Sequence, residues 1–183
     1  THRNLLFNCR ASKDALPLTE EDVYLSFLPL SHVFERMAGH YLMIMIGCTI
    51  AYAESISTVQ ENMREIRPTF SCAVPRFFEK LYGQIQVTIE KNGGIKKRVF
   101  TWAESLGRKV ARITLGGRSL SWVLKVQYEI AKKLVYQRIY DQLGSRLRFF
   151  ISGGAPLSKE LAEFFYSVGI LILEGYGLTE TAP

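Results

Sequence analysis

The sequence has 183 residues, of which 48% are hydrophobic and 22% are charged, so the chain is long enough to bury a core and too apolar for a disordered protein. Its three cysteines lie far apart without a CxxC pair, which argues against a disulfide framework or zinc site and favours a reducing cytoplasm. The most apolar stretch, residues 37–53, is shorter than the roughly 20 residues that span a bilayer. The start without methionine and the end after a turn-like segment predict a piece of a longer protein.

Positive charge is concentrated in one segment of the chain. Residues 95–146 contain 12 Lys and Arg against 3 Asp and Glu, a net charge of +9, whereas the rest of the chain carries −3 and the total is +6. The basic character is therefore a property of this segment and not of the whole surface.

Short apolar runs alternate with amphipathic helical patterns in the first half of the chain, as expected for parallel strands joined by crossover helices. The patterns predict strands at 24–28, 48–52 and 70–74, and helices at about 34–46, from Ser57 or Thr58 to 66, and from Pro75 onward.

Two long helical patterns follow, separated by a break at Gly116–Ser119. The apolar residues that recur on one side of each are Ile95, Val99, Trp102, Leu106, Val110 and Ile113, and then Val123, Val126, Ile130, Leu134 and Ile139. Strands at 147–152 and 170–173 and a helix at 158–168 complete the prediction. The sequence thus predicts an α/β fold, with a mostly parallel sheet, crossover helices on both faces and a basic helical insertion at about 95–143.

Two strand-to-loop junctions near the end of the chain are candidates for ligand binding. In the first, FFISGGAPL at 149–157, Gly153 and Gly154 follow a strand and precede a helix capped by Ser158. Open α/β sheets bind ligands at the carboxyl ends of their strands, and glycines there let a flat ligand or a phosphate approach the backbone. Glycine also occurs in such turns only because the backbone conformation requires it. A ligand-binding role and a purely structural role therefore both stay open.

The second junction is EGYGLTETAP at 174–183. Tyr176 stands between two glycines and offers a ring that can stack on an aromatic ligand such as adenine. Thr179 and Thr181 offer hydroxyls for phosphate oxygens, and Glu180 offers the hard oxygen that Mg²⁺ prefers. A polar turn without a ligand is the alternative.

Together, ISGGAPL and GYGLTETAP resemble the adenylate-forming superfamily of acyl-CoA synthetases, peptide synthetase adenylation domains and luciferases. LPLSHVFER at 28–36 is similar to another motif of that superfamily. AVPRFFEKLYGQI at 73–85 resembles the segment before an insertion in long-chain fatty-acid CoA ligases, and the opening THRN resembles residues that follow the phosphate loop. The resemblance covers essentially the whole chain, as part of the large N-terminal domain.

The resemblance implies ATP-dependent activation of a long-chain fatty acid, first to an acyl-adenylate and then to acyl-CoA, with Mg²⁺. It implies that Tyr176 stacks on adenine, Thr179 contacts the α-phosphate and Glu180 binds Mg²⁺. The residues implied to line the nucleotide are Gly153, Gly154, Ala155 and Gly177.

For the fatty acid, the resemblance implies that His32 faces the reacting carboxylate. It also implies that the fatty-acid site is lined by Phe77, Phe78, Gly154 and Gly177. A structural histidine in a turn and core phenylalanines are the alternatives. No residue is expected to act as a covalent nucleophile. The phosphate loop is expected before Thr1, and the ribose-binding Asp and catalytic Lys after Pro183, so the 183 residues alone are expected to be inactive.

The role of the basic segment, the alternative function and the possible partners are considered next. The basic segment fits peripheral attachment to an anionic membrane surface, a CoA contact, or an ordinary solvated helix face. A non-catalytic nucleotide- or acyl-binding module is the alternative function, and intact Thr179 and Glu180 argue against it. We expect no nucleic-acid binding, because the aromatic residues do not alternate with the charges. Exposed sheet edges favour a homodimer or aggregation of the isolated piece.

Overall fold

The computed structural model describes residues 1–182, with Asn92 described by its backbone alone, and contains a five-stranded sheet. All neighbouring strands in it are parallel, in the order β2–β1–β3–β4–β5. The strands are β1 Val23–Ser26, β2 Thr49–Tyr52, β3 Phe70–Ala73, β4 Phe149–Ser152 and β5 Leu171–Glu174. The predicted α/β class is confirmed, and each predicted strand end lies within two residues of the observed one.

One helix precedes the first strand, and the others occupy the connections between the strands. They are α1 His2–Ala15, a π-helical stretch Glu35–Tyr41 that continues into α2 Leu42–Ile46, α3 Val59–Ile66, α4 Pro75–Asn92, α5 Gly94–Leu115, α6 Trp122–Ala131, a π-helical stretch Lys132–Tyr136 that continues into α7 Gln137–Asp141, and α8 Lys159–Ser167. Helix α1 has no counterpart in the sequence prediction. No helix within residues 1–182 combines the length and hydrophobicity needed to cross a membrane.

The sheet is covered on both faces because side chains alternate along each strand. On one face, Phe149 and Ile151 of β4 belong to a core with Leu42 and Met43 of α2. On the other face, Phe150 belongs to a larger core with residues of α4, α5, α7 and α8. The two cores hold the sheet between two helical layers, as predicted.

The connection from β3 to β4 runs through α4, α5, α6 and α7. Pro75 begins α4 at a position where its missing N–H costs nothing. Helices α5 and α8 approach closely at Gly107, where a Cβ atom would lie 2.8 Å from the Ser167 carbonyl oxygen. The Tyr136 hydroxyl donates a 2.5 Å hydrogen bond to the Ala103 carbonyl. The helices therefore form a continuous layer against the sheet.

Of the five residues in the stripe predicted on the second long helix, only Ile139 is buried. Val123, Val126, Ile130 and Leu134 are each 44–49% exposed, whereas Ala131 is fully buried and Leu124 and Tyr128 pack against the core. Tyr128 fixes this orientation, because its hydroxyl donates to the Ser167 carbonyl at 3.3 Å. On α5, Leu106 and Val110 are buried as a stripe predicts, but Ile95 is 79% exposed.

An ion pair between a buried carboxylate and a partly exposed arginine joins three strands at the amino end of the sheet. The Asp22 carboxylate, 5% exposed, accepts hydrogen bonds from Arg148 at 2.7 and 2.8 Å and from the Thr69 hydroxyl at 2.6 Å. The Thr19 backbone N–H donates to the same carboxylate at 2.8 Å. Every described polar atom of Asp22 thus has a partner, and the network fixes the start of β1 against β3 and β4.

Candidate functional site

The two glycine junctions leave neighbouring strands at the same level of the sheet. Ser152 of β4 pairs with Glu174 of β5, and the Gly175 N–H donates to the Ser152 carbonyl at 2.8 Å. The Gly153 N–H donates to the Ala73 carbonyl of β3 at 3.2 Å. The structure therefore brings the ISGGAPL and GYGLTETAP motifs together at the carboxyl ends of three adjacent strands, where open α/β sheets bind ligands.

The LPLSHVFER motif reaches the same edge through Phe34. A Cβ atom on Gly153 would lie 2.9 Å from the Phe34 ring, so only glycine lets this ring pack against the β4 loop. His32 is exposed, and its Nδ1 accepts a 3.2 Å hydrogen bond from the Phe34 N–H. His32 therefore lies in the loop that contacts the glycine junction, while its Nε2 is available for a ligand.

Gly154 and Ala155 follow Gly153 into solvent. Gly154 has a φ of +80°, a backbone conformation that favours glycine, and both residues are exposed. The turn they form directs the chain into α8, where Ser158 caps the helix by accepting from the Leu161 N–H at 3.3 Å, as predicted. The exposed part of this turn is limited to residues 154–156, between the buried Gly153 and Leu157.

The predicted nucleotide contacts of the second junction are exposed side chains. Tyr176 is 91% exposed and Gly177 follows it in solvent. Thr179 and Glu180 lie in a 3₁₀ turn, Thr179–Thr181, and neither side chain has a hydrogen-bond partner within residues 1–182. Thr181 differs, because its hydroxyl donates to the Leu178 carbonyl at 2.9 Å. Pro183, the last residue of the motif, lies outside the described residues.

Glu180 fits a magnesium ion that is held mostly by other ligands. No group of three His, Cys, Asp or Glu side chains within the described part of the chain could hold a metal. Magnesium is typically bound through one or two carboxylates together with waters and substrate phosphates. A single exposed carboxylate such as Glu180 is compatible with that pattern.

The two predicted fatty-acid contacts differ in their surroundings. Phe77 borders an apolar groove of about 210 Å³ between the end of β1, the start of α3 and the start of α4. Phe78 is fully buried, with its ring 5.3 Å from that of Phe150 and 5.5 Å from that of Phe165. Phe78 is therefore a core residue, and we restrict the expected contact with the fatty-acid chain to Phe77.

A buried carboxylate beneath the site was missed in the sequence. Glu35 is fully buried and accepts hydrogen bonds from the Ser26 hydroxyl at 2.5 Å and the Tyr24 hydroxyl at 2.9 Å. Burial raises the pKa of Glu35 to about 7, although these two hydrogen bonds lower it. A Cβ atom on Gly39 would lie 2.6 Å from the carboxylate, which explains a glycine one helical turn after Glu35. The spacing of Glu35 and Gly39, one helical turn apart, is the sequence feature that could have indicated this buried carboxylate.

Ser152 is a second residue that the sequence did not single out for its hydroxyl. It is 2% exposed, and its Oγ has no hydrogen-bond partner within the described residues. Such an atom costs free energy unless water or a ligand supplies a partner. It lies at the last position of β4, directly before the two glycines.

The parallel sheet and the glycine junctions at its carboxyl edge are those of an open α/β protein that binds a ligand at the ends of its strands. The model of the AMP-binding enzyme family matches residues 1–183, so the chain belongs to that family.

Curated relatives specify the family further. The chain is 36% identical over 182 residues to the fatty-acid–CoA ligase fadD11 of Mycobacterium tuberculosis, covering 98% of this chain and 32% of that protein. It is 34% identical to the peroxisomal long chain acyl-CoA synthetase 6 of Arabidopsis thaliana, covering 100% of this chain and 25% of that protein. The chain spans about a third or less of the length of these relatives.

Solved structures agree on the fold. The adenylation domain of a carboxylate reductase from Mycobacterium chelonae matches with a TM-score of 0.65 and 28% identity, over 96% of this chain and 23% of that one. The N-terminal domain of FACL13 from Mycobacterium tuberculosis matches with a TM-score of 0.61 and 17% identity, over 100% of this chain and 33% of that one. The predicted resemblance to adenylate-forming enzymes is confirmed.

Proposed function

We propose that the protein containing this chain activates long-chain fatty acids with ATP, forming an acyl-adenylate and then acyl-CoA. The observation that carries the proposal is the meeting of two glycine junctions on neighbouring strands, next to the unpaired side chains of Thr179 and Glu180. The relatives named as fatty-acid or long-chain acyl-CoA ligases support the substrate class.

ATP would lie along the exposed Gly154 and Ala155, next to the buried Gly153. The Tyr176 ring, 91% exposed, is free to stack on adenine, and Gly177 leaves room beside it. The Thr179 hydroxyl would donate to an α-phosphate oxygen. Glu180 would hold Mg²⁺, which neutralises phosphate charge when it is bound.

The fatty acid would enter past Phe77, whose groove of about 210 Å³ ends near the carboxyl edge of the sheet. Its carboxylate would meet the α-phosphate between Gly154, Gly177 and His32. A carboxylate oxygen forms a bond to the α-phosphorus. The bond from the α-phosphorus to the oxygen that bridges it to the β-phosphate breaks, and pyrophosphate leaves. The thiol of CoA then forms the thioester, and AMP leaves. Positioning and charge stabilisation account for such a reaction without a covalent nucleophile on the protein.

The remaining machinery is proposed to lie in other parts of the protein. These parts are the phosphate loop, the ribose-binding Asp and the catalytic Lys that the family resemblance implies. We propose a cytoplasmic location as well, which the reduced cysteines favour. The 183 residues alone are expected to form no acyl-CoA.

The test is fatty-acid-dependent exchange of pyrophosphate into ATP by the full-length protein. The acids are acetate, octanoate, palmitate and benzoate. We expect exchange that is greatest with palmitate. A maximum with acetate or benzoate would retain adenylation but contradict the long-chain substrate, and no exchange with any acid would favour the alternative of a non-catalytic nucleotide- or acyl-binding module.

Phe77 provides a sharper test of the substrate groove. Phe77→Ala should raise KM for palmitate more than for octanoate, because a shorter chain makes fewer contacts with the groove. Val87→Ala is a suitable control, since Val87 is 51% exposed on the same helix and does not line the groove. Equal effects on both acids would remove Phe77 from the chain-binding site.

A further inference from the structure

Helices α5 and α6 form a helical hairpin with an unusually apolar outer side. Val123, Val126 and Ile130 of α6 and Leu134 of the π-helical stretch that follows are 44–49% exposed, and Trp122 at the start of α6 is 76% exposed. At about 100° per residue, these five positions occupy one sector of about 120° around the helix axis. We call this set, Trp122, Val123, Val126, Ile130 and Leu134, the apolar sector.

Unpaired positive charge lies on one side of the apolar sector. A groove of about 640 Å³ between α5 and α6 is lined by Lys97, Arg98 and Lys109, together with Trp102 and the hydroxyls of Thr101 and Ser105. No acidic side chain lines this groove. Within residues 1–182, none of the three cations forms an ion pair, whereas Arg108 and Arg112 on the same helix contact Glu163.

The other side of the apolar sector is also basic. Lys125 and Lys132 lie at about 280–300° around the helix axis, on the far side of the sector from the groove, and Lys133 falls within the sector at about 20°. Helix α6 has one acidic residue, Glu129, among these positions. The hairpin therefore presents apolar side chains flanked by cations.

We propose that this surface of the hairpin binds a bilayer that contains anionic phospholipids. Cations without a protein partner would meet lipid phosphates, and the apolar sector would enter the boundary between headgroups and acyl chains, as in interfacial helices. A second copy of the chain is a poorer occupant, because two segments of net charge +9 repel each other. The proposal does not depend on the enzymatic function and is tested by binding alone.

The charge part of the proposal is tested by co-sedimentation of the full-length protein with vesicles. The vesicles are phosphatidylcholine alone, or phosphatidylcholine with about a quarter phosphatidylglycerol. We expect stronger binding to the anionic vesicles, decreasing with salt. Lys97→Gln/Lys109→Gln should weaken binding about 30-fold, since each basic residue near an anionic surface contributes about 1 kcal/mol. Arg10→Gln/Lys13→Gln on α1 removes the same charge elsewhere and should leave binding unchanged.

The apolar part is tested by fluorescence and by a second pair of variants. Both tryptophans of this sequence, Trp102 and Trp122, lie on the hairpin, and the difference from Trp122→Phe isolates the signal of Trp122. We expect a blue shift and quenching by brominated lipid on anionic vesicles. Val126→Ser/Ile130→Ser should reduce binding, whereas Leu6→Ser/Ile44→Ser, at residues 50% and 61% exposed, should not.

Several outcomes would overturn the proposal. Equal sedimentation of the Lys97/Lys109 variant and its control would remove the groove from lipid binding, and displacement by soluble glycerophosphate would assign the groove to a free phosphate. Failure of iodide to quench Trp122 without vesicles would show that another segment of the polypeptide covers the sector. A dimer lost in Val126→Ser/Ile130→Ser would assign the sector to a second copy. Circular-dichroism melting establishes whether each variant is folded. If the double variant is unfolded, the single substitutions Lys97→Gln and Lys109→Gln are measured in its place.

Discussion

The polar side chains at the two ends of the parallel sheet differ in their burial and in their hydrogen bonding. At the amino end, Asp22 is 5% exposed and receives hydrogen bonds from Arg148, Thr69 and Thr19. At the carboxyl end, Tyr176 is 91% exposed, and Thr179 and Glu180 have no side-chain partner in residues 1–182. The difference indicates that polar groups at the amino end stabilise the fold, whereas those at the carboxyl end are available to a ligand.

Glu35 tests this division most strongly, because it is hydrogen-bonded but has no counter-charge. Its folded-state pKa of about 7 exceeds the value of 4.5 for an unfolded chain, so the folded protein binds more protons between those values. The contribution of Glu35 to stability is therefore fully present below pH 4.5 and declines as pH rises to 7, by about 3 kcal/mol. Urea midpoints of the full-length protein, compared with Glu35→Gln, measure this decline.

In Glu35→Gln the amide oxygen can still accept from Tyr24 and Ser26, so the fold should be retained. The difference between wild type and variant should change with pH only between about 4.5 and 7. Glu160→Gln, at an exposed carboxylate at the start of α8, is the matched control for the removal of one carboxylate. A pH-independent difference would show that folding does not shift the pKa of Glu35.

Glu180 should affect activity without affecting stability. If Glu180 supplies the magnesium carboxylate, Glu180→Gln should lower palmitate-dependent exchange by about 100-fold, comparable to the loss of one electrostatic contact in a transition state. The urea midpoint should be unchanged, because the side chain has no partner within residues 1–182. A lower midpoint, or activity like that of the Glu160→Gln control, would contradict the functional assignment of this end of the sheet.

Arg148 should show the reverse behaviour. Arg148→Met leaves the buried Asp22 carboxylate with only two neutral donors, and we expect a loss of about 2 kcal/mol, reduced from the value for a fully buried pair because the Arg148 side chain is 41% exposed. Arg146→Met, at an exposed neighbour with no ion pair in residues 1–182, is the control. The midpoint should recover partly in Asp22→Asn/Arg148→Met. Unchanged stability of Arg148→Met would remove the structural role of the amino-end network.

The smallest effect is expected at Ser152. Its hydroxyl is buried like the polar groups at the amino end of the sheet, but it has no hydrogen-bond partner in the described residues, like Thr179 and Glu180 at the carboxyl end. Ser152→Ala should stabilise the protein by about 1 kcal/mol, because it removes a polar atom without a partner in the described residues. Its effect on pyrophosphate exchange separates the alternatives. Stabilisation without loss of exchange would make Ser152 structural, whereas destabilisation would reveal a partner such as buried water.

The sequence predicted the sheet well because its strands are short apolar runs bounded by proline and glycine. Each β4 residue is buried, and the two glycine junctions follow β4 and β5 as expected. These features depend on local residue types and on a general rule of parallel sheets, so no knowledge of tertiary contacts was needed.

The orientation of α6 was not predictable in the same way. Leu124, Tyr128 and Ala131 face the core while Val126 and Ile130 face outward, and apolar residues are thus found on both sides of this helix. Periodicity alone does not choose between two apolar sides, and the choice depends on the tyrosine hydrogen bond to Ser167. Glu35 was missed for a related reason, because its burial depends on Tyr24, Ser26 and the space left by Gly39.

The long connection between β3 and β4 has a consequence for synthesis of the protein. Residues 74–148 separate these paired strands, so β3 leaves the ribosome 75 residues before its partner. At the usual rates of translation this interval lasts roughly 4 to 15 s. During that time one edge of a strand whose four residues are all buried in the finished fold has no partner, and such an unpaired edge can pair with another chain.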